Sequence, residues 1–260
     1  MTIPQFNSIL NSFIPIPLDG MDSVSLMNRI DTKFVFSAGL FPDLLSSLVN
    51  SYKILEIDQK RNFLYNTRYL DTEEMLFYLQ HVTGKLARHK IRFRKYESTG
   101  ITFFEVKKKT NKNRTVKWRI EDTFNTDFRD EKAALFIRKH IPGNSFILQP
   151  SLENRFKRIT LVGTETKERI TFDHCISFSS INGEQVELPY LAVAELKSDG
   201  FPSSSPFVLA ARKMGIKSTA FSKYCMGNAL LRDLPKKNIL KQKILLLNKI
   251  ENEYFKFNAS

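Results

Sequence analysis

In KIRFRKYESTGITFFEVKKKT, residues 90–110, charge falls on every second position. Lys90, Arg92 and Arg94 share one parity, and after the turn so do Phe103, Glu105, Lys107 and Lys109. Ile91, Phe93, Phe104 and Val106 hold the other. Successive side chains of a strand leave on opposite faces, so this period predicts a hairpin with one apolar and one basic face. The alternation recurs along the chain. Arg29, Asp31 and Lys33 oppose Ile30, Phe34 and Phe36. Lys117 and Arg119 oppose Val116, Trp118 and Ile120, and Arg155 shares parity with Lys157. Arg169 and Asp173 oppose Ile170 and Phe172, while Glu195 and Lys197 oppose Ala192, Ala194 and Leu196. Strands are expected over 28–36, 62–70, 114–120, 154–161, 168–174 and 191–197, beside the hairpin. Short connections favour antiparallel pairing.

Helical spacing appears between the strands. Leu40, Leu44, Leu45 and Leu48 predict a helix over 36–52. Asp71 and the acids after it read as a helix start for 71–82. A third helix is expected over 127–140, ending before Pro142. From 206 to 254 the pattern gives two or three helices, broken near Gly215 and Pro235. The class this predicts is α+β, a large antiparallel sheet or barrel with flanking helices in a single domain. At 42% hydrophobic residues the chain can bury a core and is not of disordered composition. It has no CxxC pair, basic leader or long apolar run, which predicts a reduced, cytoplasmic, soluble protein.

The formal net charge is +13, a balance that attracts polyanions. A solvated antiparallel sheet, apolar inside and polar outside, would account for any one strand. A solvated face ordinarily mixes signs, because like charges directly opposite one another destabilise a ladder. Here the strands are mostly basic, and Asp31, Glu105, Asp173 and Glu195 sit on that same face. Close cations cost roughly 1 kcal/mol per pair in water and several times more when confined. An enclosed basic lining around a polyanion satisfies both facts, with Arg supplying planar forks and Lys point charges. A Mg²⁺ or Mn²⁺ bridging phosphate oxygens needs one or a few carboxylates. Glu195 is the first candidate and Glu105 the second, against local ion pairing of each with a neighbouring cation. Asp31 and Asp173 are expected to orient basic neighbours.

The ordered set RIDTKFVF, KIRFRKY, FFEVKKKT, NRFKRITL, ERITFDHCISF, AVAELKSDG and FSKYCMGNALL resembles the triphosphate tunnel metalloenzymes. More closely it resembles the VTC domain, the polyphosphate polymerase domain of the vacuolar transporter chaperone. The resemblance spans about 26–232 and leaves 233–260 as a helical tail. It implies an antiparallel β-barrel or tunnel that binds ATP or another triphosphate. There the terminal phosphoryl passes to orthophosphate or polyphosphate with Mn²⁺ or Mg²⁺ assisting. It places basic tunnel residues on Lys33, Arg92, Arg94, Lys107, Lys117, Arg119 and Arg155, the metal-binding acid on Glu195, and phosphate-binding helix residues on Ser222 and Lys223. Lys197 lies beside Glu195 on the same strand and joins the phosphate-binding set. KKKTNKNRTVKW leaves Lys112 and Arg114 unassigned. Where the wider superfamily opens on E-x-E-x-K, Arg29, Asp31 and Lys33 stand here, which favours the VTC branch.

In this reading Arg92, Arg94, Lys107, Lys117 and Arg119 clamp the triphosphate, Lys33 polarises an end phosphate and Glu195 holds the metal. A phosphate acceptor is already anionic, so no strong base is required. His81, His89, His140 and His174 form no cluster in sequence. No phosphate loop, dinucleotide fingerprint or nucleophile elbow is present, and Cys225 is expected as a buried structural thiol. Two other classes compete: a triphosphatase using the same lining, and a non-enzymatic polyanion or RNA binder. Specific nucleic-acid binding is not expected, because the aromatics of IRFRKY fall opposite Arg92 and Arg94. The tail KKNILKQKILLLNKIENEYFKF, residues 236–257, packs on the barrel wall through Leu240, Ile244 and Leu247, or meets a membrane or membrane partner.

Overall fold

The computed structural model describes residues 3–24, 29–111, 114–122, 131–141, 147–200 and 204–259. In chain order the elements are α1 (Ile3–Asn11), β1 (Ile14–Ile16), β2 (Arg29–Ser37), α2 (Phe41–Ser46), β3 (Tyr52–Leu55), β4 (Phe63–Asp71) and α3 (Leu76–Val82). There follow β5 (Arg88–Tyr96), β6 (Thr102–Lys109), β7 (Thr115–Asp122), α4 (Glu131–His140), β8 (Gln149–Gly163), β9 (Glu168–Ser179), β10 (Gln185–Leu188) and β11 (Leu191–Asp199). The chain ends in α5 (Pro206–Lys213), α6 (Lys223–Leu231) and α7 (Lys241–Ala259).

One sheet takes the order β2-β11-β9-β8-β4-β5-β6-β7, with β1, β3 and β10 attached at its margins. Every pairing is antiparallel except that of β1 with β3. The sheet curls into a half-barrel. Lys33 and Glu195 at one end and Lys90 and Lys107 toward the other line a common cavity, so the basic face is the concave one. Among the described residues no pairing joins β2 to β7.

The two parities bury into different cores. On the convex side Phe34, Phe36, Ile159, Leu161, Ile170 and Phe172 pack with residues of α1, α2 and α5. Ile91, Phe93, Phe104 and Val106 pack with Ala133 of α4. The concave side has an apolar floor where Tyr65, Tyr69, Leu152, Phe156 and Phe178 meet Tyr224, Met226 and Ala229 of α6. Each such side chain contributes about 1.5–3 kcal/mol when fully buried, so both faces stabilise the fold.

Two helix expectations change. The helix expected over 36–52 shortens to α2, because β2 runs through Ser37 and Tyr52 already starts β3. Tyr52 and Ile54 are fully buried, and β3 hydrogen-bonds β8, so pairing overrides the leucine spacing. Asp71 is the last residue of β4, and α3 begins at Leu76. Its carboxylate still caps that helix from a distance, accepting the N–H groups of Phe77 at 2.8 Å and Tyr78 at 2.9 Å. Of the helix expected over 127–140, residues 127–130 lie outside the described residues, as does the side chain of Arg29. The tail packs on the wall through Leu240, in the turn before α7, and through Leu247 and Ile250 of α7, all buried. No described helix is long and apolar enough to cross a membrane.

Candidate polyanion-binding site

Curling the sheet brings lysines from distant strands around a cavity of about 1100 Å³. Its wall includes Lys33 of β2, Lys90 of β5, Lys107 of β6, Glu195 of β11, Ser222 before α6 and Lys243 of α7. Arg114 also lines it; Lys112 lies outside the described residues. Register explains the convergence: Glu195 faces Lys33 across β11–β2, and Lys107 lies between Lys90 and Lys117. Lys33 Nζ donates to the Phe221 carbonyl at 2.9 Å and stands 3.8 Å from Glu195 Oε1. Lys197 Nζ lies 3.1 Å from Glu195 Oε2 and donates to Asp31 Oδ2 at 3.0 Å. Lys90 Nζ donates to Ser222 Oγ at 3.1 Å.

These contacts leave excess positive charge in a desolvated space. Burial pushes Lys107 down to about 7; Arg92, Lys33 and Lys90 add to the shift and Glu195 opposes it. Burial likewise pushes Lys90 down to about 8. Burial alone would raise the Glu195 carboxyl, but Lys33, Lys197 and Lys107 hold it well below the carboxylate range. The cavity therefore contains an ionised carboxylate among ammonium groups that lack enough negative charge, an arrangement an anion would complete.

A second tier of cations continues along the same face. Glu105, only 1% exposed, accepts from Arg92 Nε at 2.6 Å and pairs with Lys117. Arg94 Nε donates to Thr67 Oγ1 at 3.3 Å. Arg158 grips Asp173 with two hydrogen bonds, of 2.5 and 2.8 Å, and Lys223 pairs with the same carboxylate. Burial would raise Asp173, but Arg158 and Lys223 hold it low. Asp31 and Asp173 thus orient cations, as expected of them.

A family model described as the VTC domain matches residues 28–232. The chain belongs to the VTC domain family. No curated protein sequence matches it. Among solved structures it is similar to a candidate adenylyl cyclase from Hippeastrum described with a dominant triphosphatase activity, at 13% identity and TM-score 0.48 over 80% of this chain and 99% of that one. It is also similar to a candidate adenylate cyclase from Bacillus halodurans, at 16% identity and TM-score 0.48 over 77% of this chain and 98% of that one.

Within this VTC domain, Lys33, Lys107, Glu195 and Ser222 meet at the cavity. Arg92, Arg94, Glu105, Lys117, Lys197 and Lys223 lie on the same concave face. Arg119 shares it and remains exposed, with its guanidinium 4.5 Å over the Phe103 ring. Arg155 is a correction. It shares parity with Ile159 and Leu161 of the convex core, whereas Phe156 and Arg158 pair with Tyr65 and Phe63 on the concave side. Arg158 occupies the concave position the sequence reading gave to Arg155. The signal was the run of apolar residues sharing Arg155's parity, but Phe156 and Val162 on the opposite parity obscured it. The placement of the aromatics changes too. Phe93 is convex, but Tyr96 and Phe103 share the face of Arg92 and Arg94.

A VTC domain implies a divalent metal, and the residues present can be compared with that need. Among the described residues no three His, Cys, Asp or Glu side chains converge as a metal cluster. Arg92 and Lys117 engage the two oxygens of Glu105. Glu195 offers one ionised carboxylate at the cavity wall. That donor set fits an ion coordinated mainly by substrate phosphate oxygens and water.

Proposed function

We propose that this VTC domain, acting as one unit over 1–260, transfers the terminal phosphoryl of ATP to orthophosphate or a growing polyphosphate chain. The observation that carries this reading is the convergence of Lys33, Lys90 and Lys107 on one cavity, where burial lowers the proton affinity of Lys90 and Lys107 in the absence of an anion. Phosphoryl transfer needs in-line positioning and neutralisation of the equatorial oxygens. Arg92, Arg94, Lys107, Lys117 and Arg119 clamp the phosphates, with Arg158 beside them. Lys33 and Lys90 hold the end phosphate near Ser222 and Lys223. Glu195 would hold a divalent ion, Mn²⁺ or Mg²⁺, which would supply charge neutralisation on the phosphate oxygens.

The acceptor separates transferase from triphosphatase. A base assists attack by water; Glu195 is assigned to the metal here, and the imidazole in the wall is unsuited to act as that base. Burial pushes His81 down to about 2, with Lys90 adding to the shift, and His81 Nδ1 is engaged with the Phe77 carbonyl at 2.9 Å. A phosphate acceptor needs no such base, which favours transfer. We place the reaction in the cytoplasm, where both cysteines stay reduced, with ATP and phosphate chains as partners. The exposed Leu245 and Phe255 of α7 offer a surface for a membrane partner.

Incubation with ATP and Mn²⁺, resolved on a urea gel, tests the reading. A ladder of phosphate chains is expected, and Glu195→Gln should reduce it at least about 100-fold by analogy with loss of one electrostatic group. Orthophosphate and ADP as sole products would make the protein a triphosphatase.

A further inference from the structure

The hairpin of β5 and β6 places two aromatic side chains on its charged face. Phe93 and Phe104, one parity away, are 3% and 0% exposed in the convex core, whereas Tyr96 and Phe103 are left half-buried on the concave face. They do not stand alone there. Tyr65 and Tyr96 lie 4.9 Å apart, Tyr96 meets Phe103 edge-on at 5.7 Å, and Tyr65 stacks on Phe156 at 5.3 Å. Arg94 and Arg158 lie over the rings of Tyr65 and Phe156. The exposed Arg119 already lies 4.5 Å over the Phe103 ring, so that ring face accepts a planar, electron-poor group.

Register ties this shelf to the phosphate clamp. Phe103 pairs with Arg94; two residues along, Glu105 pairs with Arg92 and Arg119; two more along, Lys107 pairs with Lys90 and Lys117. Each step is about 6.6 Å of strand. A planar ring at the first step therefore sets an attached phosphate chain against the next two. We propose that Tyr96 and Phe103 form a base-stacking subsite, with Arg119 at its junction with the phosphate clamp, so that the donor is a nucleoside triphosphate bound with its base at Phe103 and its phosphates running toward Lys107. Stacking tolerates any base, so the subsite selects nucleotides over inorganic chains without selecting among nucleotides. The inference rests on the phosphoryl-transfer reading above and adds what that reading lacks, a contact to the part of the donor that does not react.

The test is calorimetry of the full chain with two probes, a non-hydrolysable ATP analogue and inorganic tripolyphosphate, both without divalent metal so that neither is turned over. Phe103→Leu and Tyr96→Leu should each weaken the ATP analogue about 5- to 50-fold and change tripolyphosphate less than twofold. Retained tripolyphosphate binding also shows that the variants are folded. Phe103→Trp should keep analogue affinity and add a fluorescence signal quenched by the analogue but not by tripolyphosphate. Equal loss of both probes, or loss of neither, overturns the subsite and leaves phosphoryl transfer standing. Failure of the wild type to bind either probe removes both.

Discussion

Lys107 illustrates why the cavity selects anions. Its ammonium group sits at about 7 because burial disfavours the charge and Arg92, Lys33 and Lys90 repel it, against the attraction of Glu195. The direction has two consequences. For folding, a depressed lysine costs stability as pH falls from the unfolded lysine value toward 7, because the unfolded chain takes up a proton that the native one does not. For binding, a phosphate favours the charged form, so affinity must fall as pH rises past 7 and Lys107 deprotonates. Tripolyphosphate affinity, measured from pH 6 to 9, is expected to decline more steeply in wild type than in Lys107→Arg, because a guanidinium stays charged throughout. Comparing the two proteins cancels the titration of the ligand itself. Lys90, at about 8, leaves a residual slope in the variant. Identical slopes would show that Lys107 does not meet the anion.

Strand period made much of this legible in advance. Lys33, Arg92, Arg94, Lys107 and Glu195 were assigned to one face by alternation, and pairing places them there. Alternation failed at β8, where Phe156 and Val162 are as apolar as Ile159 and Leu161, because both faces of that strand enter a core. Arg158 was missed for that reason. The helices were less legible, since their ends are set by tertiary contacts. Asp71 looked like a cap within a helix, and it caps α3 from the end of a strand while also accepting from Tyr224 Oη of α6. Helix α6 depends on a second such contact. A Cβ on Gly227 would fall 2.5 Å from Phe178 Cδ1 and 2.7 Å from Leu152 Cδ2, so the helix rests on the sheet through bare backbone. Gly227→Ala gains about 1 kcal/mol of helix propensity and loses up to about 3 kcal/mol to overpacking. Urea unfolding should show a net loss of about 2 kcal/mol. Because Ser222 and Lys223 ride on this helix, tripolyphosphate affinity should fall with it; unchanged stability and affinity would mean that α6 has room to move.

A half-barrel with one apolar convex face and one basic concave face distributes its charge unevenly. In a chain of net charge +13, basic side chains outnumber carboxylates on the concave face, and Glu105, Asp173 and Asp31 there already pair with Arg92, Lys117, Arg158 and Lys197. Self-repulsion of that kind weakens the compact state, and a multivalent anion on the concave face relieves it. A ligand that binds only the folded chain stabilises it by about 2.7 kcal/mol at a hundredfold excess over Kd. For a chain of this length that corresponds to a rise of about 5–10 °C in Tm. Polyphosphate should produce that shift at 50 mM salt, and the shift should shrink at 500 mM, where the Debye length is only several ångströms. It should not vanish, because the cavity lysines are desolvated and screened less than surface charges. Glutamate at equal ionic strength should leave Tm nearly unchanged, since one carboxylate cannot span Lys33, Lys90 and Lys107 together. An equal shift from glutamate and polyphosphate would mean that the concave face responds to ionic strength alone and holds no chain of phosphates.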